Sequence, residues 1–187
     1  MHYPTACEAI AEGLPIPEGV RLVGLQDHAD ERGVFRELYR DAWAAAATPV
    51  QWNMAWSKPN VLRGVHVHID HFDHLTVATG EMILGLHDFR ADSSTGGLSA
   101  MLRLTGEEPC LVEIPPGVGH GFYFPVASAH VYGVSRAFEG TDGLACRWDD
   151  PELGFAWPTT APLLSERDRS AGGYGAVARG FRTLTAA

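Results

Sequence analysis

The sequence has no run of apolar residues approaching the eighteen or so that a membrane-spanning helix requires. Its first residues, Met1-His2-Tyr3-Pro4, carry neither a basic stretch nor an apolar core of the secretory type. A soluble chain that stays in the cytoplasm is expected, with no membrane partner. Cysteine is scarce. Cys7, Cys110 and Cys146 are odd in number, widely spaced and form no CxxC pair, so neither a disulfide framework nor a thiolate zinc site is indicated and a reducing compartment fits. Basic residues are outnumbered, 14 Lys and Arg against 23 Asp and Glu, for a formal net charge of -9. That balance argues against a nucleic-acid partner, while local arginines can still hold a phosphorylated ligand. Linkers, internal repeats and low-complexity tracts are also missing. The 187 residues therefore read as a single domain, with 1–20 as an N-terminal extension and 159–187 as a C-terminal segment with a short helix.

What the chain does have is short stretches of alternating apolar and polar residues separated by glycine and proline turns. Strands are expected at 21–25, 35–39, 51–57, 61–68, 75–79, 81–88, 98–104, 110–114, 121–124, 129–134 and 144–148. Only 41–47, with Asp41 as N-cap, and 165–171, with Ser165 as N-cap, read as helices. The expectation is an all-β jelly-roll barrel with short peripheral helices, whose two sheets enclose a cavity.

Two segments carry the chemistry. Leu62-Arg63-Gly64-Val65-His66-Val67-His68 is answered about fifty residues later by Pro115-Pro116-Gly117-Val118-Gly119-His120, each ending a strand on histidine. Around the first lie His71, His74, Asp70 and Asp73, too many titratable groups to bury in apolar strands without a polar cavity. Imidazoles converging there suit either proton transfer near neutral pH or metal ligation, and the spacing alone leaves both open.

Gly64, His66-Val67-His68, Asp73 and Gly80 resemble the first cupin signature, with Asp where Glu is usual, and the Pro115 to His120 stretch resembles the second. A closer resemblance, from about residue 21 to about residue 170, is to the dTDP-4-dehydrorhamnose 3,5-epimerase family, a metal-free branch of the cupins. Its pieces are Glu31-Arg32-Gly33-Val34-Phe35-Arg36-Glu37, Gln51-Trp52-Asn53, Asn60 to His66, Ile114 to Phe122, Tyr132, Trp148 to Pro158, and Leu164-Ser165-Glu166-Arg167-Asp168. The resemblance implies an isomerase acting on a nucleotide-diphosphate 4-keto-6-deoxy sugar, with no cofactor, as a homodimer in which an N-terminal strand crosses to the partner. It implies His66 as general base, Asp168 as the carboxylate orienting it, and Tyr132 as acid on the opposite face. Arg32 and Arg63 resemble phosphate ligands; Glu37, Gln51 and Asn53 match positions contacting nucleotide or sugar, and His120 a substrate-contacting histidine.

Departures accompany the matches. Asp73-His74 stands where the family usually has a lysine supporting the enolate oxygen, so His68 or His74 is expected to take that part. Val34 replaces an aromatic, and Phe138 a second tyrosine. Without the motif, Asp168 would read as a surface-helix residue, Tyr132 as a rim aromatic and Arg32 as part of a charged turn, while Trp148 to Pro158 reads as barrel covering in either case. The alternative function is a metal-dependent cupin isomerase or dioxygenase using His66, His68, Asp73 and His120.

Overall fold

The computed structural model describes residues 2–43, 47–137 and 143–185. Two five-stranded antiparallel sheets face each other as a jelly-roll barrel. The first runs in the order β1 (Arg21–Gly24), β9 (Cys110–Ile114), β6 (Asp73–Thr79), β11 (Ser128–Val134), β4 (Gln51–Ser57); the second β12 (Leu144–Ala145), β5 (Val61–Val67), β10 (Val118–Phe124), β7 (Glu81–Asp88), β8 (Ser99–Thr105). A separate hairpin, β2 (Asp27–Asp30) and β3 (Gly33–Arg36), projects from the barrel with nearly every residue exposed. Its tether is Arg36, which pairs with Asp27 and donates to the Gly106 carbonyl at 2.8 Å.

Alternation decides which side chains enter the barrel. In β4, Gln51, Asn53 and Ala55 point inward while Trp52, Met54 and Trp56 point to solvent, Trp56 with 70% of its surface exposed. Strand β7, central in its sheet, is covered on both faces and carries the apolar run Met82-Ile83-Leu84-Gly85-Leu86. Leu75, Val77, Leu84, Leu86, Leu104, Val112 and Phe124 fill the space between the sheets, each side chain contributing on the order of 1.5–3 kcal/mol by burial. Above this plug a cavity of about 550 Å³ remains, with Leu75 belonging to both.

The outer face of the second sheet is closed by the C-terminal third. Trp157 and Phe155 meet edge to face and lie over Gly85 and Gly121, where any Cβ would touch the rings. Trp157 donates its indole N–H to the Trp148 carbonyl at 2.9 Å. The tryptophan-rich segment thus covers the barrel, as read from the sequence. Beyond it α3 (Tyr174–Thr185) buries Val177, Ala178 and Phe181 against Val67 and Phe89. The N-terminal residues are part of the packing rather than an appendage. Helix α1 (Ala6–Glu12), capped by a reciprocal Thr5–Glu8 box, buries Ala6 and Ala9 in the main core. Just before it the Arg103 amide donates to the Pro4 carbonyl at 2.8 Å, which extends the second sheet past β8.

The segment expected as helix at 41–47 forms a 3-10 turn over Asp41–Trp43, and residues 44–46 lie outside the described ones. Helix α2 (Glu166–Arg169) follows Ser165 as N-cap, as expected. The strand expected at 35–39 lies at Gly33–Arg36 instead, as the second arm of the exposed hairpin with Arg32 at its turn, and 37–39 are not in a strand.

At the end of β7 the buried Asp88 carboxylate accepts from the Arg90 guanidinium at 2.8 and 2.9 Å, from the Arg90 amide at 3.0 Å, and from Ser93 and Thr95 hydroxyls at 2.7 Å each. Burial raises its pKa, but these donors more than offset that and hold it at about 2. A carboxyl whose folded pKa lies below its unfolded value of about 3.9 stabilises the fold above the unfolded value and ceases to do so as pH falls towards the folded one. Asp88→Asn is expected to cost about 2 kcal/mol at pH 7, with the difference from wild type shrinking between about pH 4 and pH 2. Denaturant unfolding across that range checks it; a pH-independent difference would refute the assignment.

Candidate active site

The cavity is walled by the two sheets. From the second come Arg63 and His66 on β5, His68 just after it, and His120 and Phe122 on β10; from the first come Gln51 and Asn53 on β4, Asp73 on β6, and His130 and Tyr132 on β11. Arg63 and His66 are three residues apart, so in a regular strand they would point to opposite faces. They share a face because β5 carries one more residue than β10 between paired positions. His66 opposes His120 and Arg63 opposes Phe122, three steps along one strand against two along the other. Gly64 makes this bulge. Its φ is 109°, and a Cβ there would stand 2.7 Å from the His120 carbonyl oxygen and 2.9 Å from the Gly121 Cα.

His66 is backed by Asp168. The segment leading to α2 is fastened to β5 by bonds from Leu163 N–H to the Asn60 carbonyl at 2.7 Å and from Leu62 N–H to the Leu163 carbonyl at 3.0 Å. Ser165 caps the helix by accepting from Asp168 N–H, while its hydroxyl donates to Asp168 Oδ2 at 2.8 Å. Asp168 Oδ1 lies 2.7 Å from His66 Nε2. Burial of Asp168 raises its pKa; hydrogen bonds from His66, Ser165 and the Gly64 amide outweigh that and leave it lowered. An ionised carboxylate only accepts, so Nε2 of His66 carries the proton and Nδ1 is the basic nitrogen.

On the facing sheet Tyr132 stacks on His130, whose other face packs on Phe124. Burial first, and the charge of Asp73 second, raise the Tyr132 pKa, so its hydroxyl stays protonated. His130 is pushed down to about 4 by burial, with Arg63 adding to the effect, and is a neutral ring in the wall. Deeper in, His68 Nε2, His120 Nε2 and an oxygen of Asp73 lie within 4.8 Å of one another, the set that could hold a metal ion.

Of the residues expected in the site, Gln51, Asn53, Arg63, His66, His68, His120, Tyr132 and Asp168 line the cavity. His74 does not. It follows Asp73 on β6 and so faces the other side of the sheet, where it is fully buried against Tyr39 and Glu113. Its expected part beside the enolate has no geometric basis. Arg32, on the projecting hairpin and held to Asp30, is also outside, as is Glu37, which pairs with Arg40. Arg63 is exposed at the mouth rather than buried, donates to Ser57 at 3.1 Å and makes no ion pair among the described residues. His71, His130 and Arg167 line the cavity without having been assigned to it. The alternation that puts Tyr132 inside also puts His130 there, two positions before it, and Arg167 directly precedes Asp168.

Comparison with known proteins gives a consistent result. The family model described as dTDP-4-dehydrorhamnose 3,5-epimerase matches residues 14–174. The dTDP-4-dehydrorhamnose 3,5-epimerase of Pseudomonas aeruginosa is 36% identical over 168 residues, covering 85% of this chain and 92% of that protein. The solved rmlC epimerase of Mycobacterium tuberculosis superposes with a TM-score of 0.82 at 25% identity, over 97% of this chain and 92% of that one. ChmJ, a 3'-monoepimerase from Streptomyces bikiniensis solved with dTDP-quinovose, gives 0.81 at 27% identity, over 91% and 90%.

If the bulge aligns Arg63 with His66, filling it must disturb both. Gly64→Ala is expected to lower stability by about 2 kcal/mol or more, because a side chain there meets backbone atoms that cannot move aside. Gly24→Ala, in a strand with open space around the position, is expected to be near neutral. Thermal unfolding of the two variants decides the point; equal melting temperatures would refute it.

Proposed function

From membership of the dTDP-4-dehydrorhamnose 3,5-epimerase family, to which this chain belongs, we propose that the cavity takes a dTDP-linked 4-keto-6-deoxy sugar and that His66, Asp168 and Tyr132 carry out its epimerisation. Inverting a carbon beside a ketone needs a base on one face to remove the proton and an acid on the other to return it. The observation that supports these roles is that His66 and Tyr132 stand on opposite walls of one cavity. Asp168 fixes the His66 tautomer and favours the imidazolium that forms. Tyr132, kept protonated by its surroundings, has the proton to give. Arg63 at the mouth has guanidinium capacity to spare for the diphosphate, and Gln51 and Asn53, linked to each other at 2.9 Å, offer amide groups to nucleotide or sugar. His120 takes the part of a polar contact to substrate. The product would be a deoxysugar donor for a polysaccharide or a glycosylated metabolite.

Arg32 and Glu37 join this reading through a second protomer. The projecting hairpin exposes Val34 and Phe35, and the outer face of β4 exposes Trp52, Met54 and Trp56. We infer a homodimer in which the hairpin crosses to the partner and brings Arg32 and Glu37 over its cavity, burying these apolar residues. Three cysteines without disulfides fit a cytoplasmic setting.

His66→Asn is expected to reduce deuterium incorporation from solvent into dTDP-4-keto-6-deoxyglucose by about three orders of magnitude while leaving dTDP affinity nearly unchanged. Loss of less than about tenfold, read by NMR at C3 and C5, would remove His66 as base. With Tyr132→Phe, exchange should persist at the first carbon while net inversion falls, since only the second proton transfer is lost; parallel loss of both would point to another acid.

The crossed hairpin has its own test. Arg32→Ala and His66→Asn homodimers should each be impaired, and mixed dimers should regain one intact site of the two, because one protomer keeps its base and receives the partner's arginine. Absence of complementation in mixed dimers would assign Arg32 to its own chain or to no site.

A further inference from the structure

His130 lines the cavity, and proton transfer by His66 and Tyr132 leaves it unused. Its ring is clasped by others: Phe124 stacks on it at 5.2 Å between centroids, Tyr132 stacks at 5.9 Å, and Phe122 leans on it at 5.9 Å. A phenylalanine would make the same contacts, so the nitrogens are the part that packing does not explain. Nδ1 is buried without a hydrogen-bond partner, and no bond fixes the tautomer. Nε2 is not among the buried atoms lacking a partner, and it makes no hydrogen bond among the described residues, so it is the nitrogen that meets the cavity.

The ladder sets His130 between the two ends of a nucleotide sugar. On β11 it pairs with Ala55 of β4, while Ser128 pairs with Ser57 and Tyr132 with Asn53. Ser57 accepts the bond from Arg63 Nε at 3.1 Å, and Phe122, which touches His130, is the residue of β10 paired with Arg63. Arg63 is therefore anchored one inward-facing step, about 7 Å, to one side of His130, and Tyr132 lies one such step to the other. In a nucleotide sugar the diphosphate is bonded through one oxygen to C1 of the sugar. A substrate with phosphate on Arg63 and its reacting carbon at Tyr132 lays the sugar-side phosphoryl over His130.

We propose that His130 is the inner ligand of the substrate's diphosphate, neutral in the empty cavity and protonated from solvent as the sugar-side phosphoryl seats between it and Arg63. The charges explain the timing. Among the described residues Arg63 is the charged group that acts on His130, and it adds to burial in disfavouring the imidazolium. Around the ring β4 presents Ala55, β6 Val77, and β10 Phe122 and Phe124, none of them titratable, while the Tyr132 phenol on its own strand stays protonated. A diphosphate linked at both ends carries a negative charge on each phosphate, so its arrival turns the field beside His130 from positive to negative. The stacked faces of Phe124 and Tyr132 favour a cation between them. The choice of ligand rests on the epimerase reading above, to which it adds a residue that reads the diphosphate.

The probe is dTDP-glucose, which has the diphosphate but no ketone to react and whose phosphates do not titrate near neutral pH. Calorimetry at pH 7 in buffers of differing ionisation enthalpy should show proton uptake on binding to wild type, smaller by about half a proton or more in His130→Phe and His130→Gln. The first variant keeps the ring contacts and the second keeps a donor, and neither can charge. His130→Phe should melt no lower than wild type, since it removes a buried nitrogen without a partner. It should nevertheless bind about tenfold more weakly at pH 6, a deficit that shrinks as pH rises. The sign follows from linkage: a group whose pKa is raised in the complex strengthens binding below that raised value and ceases to do so above it. Equal proton uptake and equal affinity in wild type and both folded variants overturn the proposal and leave the epimerase reading intact. A loss of affinity that is the same at every pH, with proton uptake unchanged, also overturns it and marks His130 as packing. Failure of wild type to bind either dTDP-glucose or dTDP counts against the nucleotide-sugar reading itself, and the proposal falls with it.

Discussion

One residue too many in β5, opposite β10, is the constraint on which the site depends. A strand offers a side chain to a given face at every second position, so a guanidinium and an imidazole three apart would ordinarily be divided between cavity and exterior. The bulge at Gly64 restores them to one face and pairs His66 with His120 across the ladder. It also turns the Gly64 amide towards Asp168, so the irregularity that aims the imidazole helps to hold the carboxylate behind it. Glycine is required for a local reason: the space where a Cβ would go is already occupied by the backbone of β10.

The cavity is costly to build. Five histidines and two aspartates line it, most of them withdrawn from water, and burial drives the rings of His68, His120 and His130 away from their charged forms. Such a concentration of polar groups lowers stability where it sits, and the barrel offsets it elsewhere. The apolar plug between the sheets, the tryptophan-rich cover over Gly85 and Gly121, and the five donors on Asp88 all lie away from the substrate space. The division is spatial, with structural ionic bonds at one end of β7 and functional ones at the open end of the barrel.

Much of this was legible in the sequence because alternation is a local signal. The strand boundaries for β4, β7 and β9 follow directly from it, and Ser165 announced its helix. Asp168 could be tied to His66 only through family resemblance, since 102 residues separate them and no periodicity links the two. His74 misled because its neighbour Asp73 is inside, and adjacent strand residues face opposite ways. The hairpin arm at Asp27–Asp30 was missed for a related reason. Both of its faces are exposed, so it has no apolar period to read. Helix α3 carries Gly175 and Gly180, which weaken its propensity, and only packing of Val177 and Phe181 against the barrel secures it.

The two outer edges of the barrel are treated differently. At β8 the chain's own Pro4 and Thr5 lie along the strand and take up the amide of Arg103. At β4, last in its sheet, no described strand of the protomer pairs with the outer side, and the adjoining face carries two exposed tryptophans and a methionine. An open, apolar edge is the usual starting point for strand-on-strand aggregation. Whatever covers β4 in the working assembly therefore has a colloidal duty as well: it keeps an open apolar strand from meeting the same strand on a neighbouring molecule.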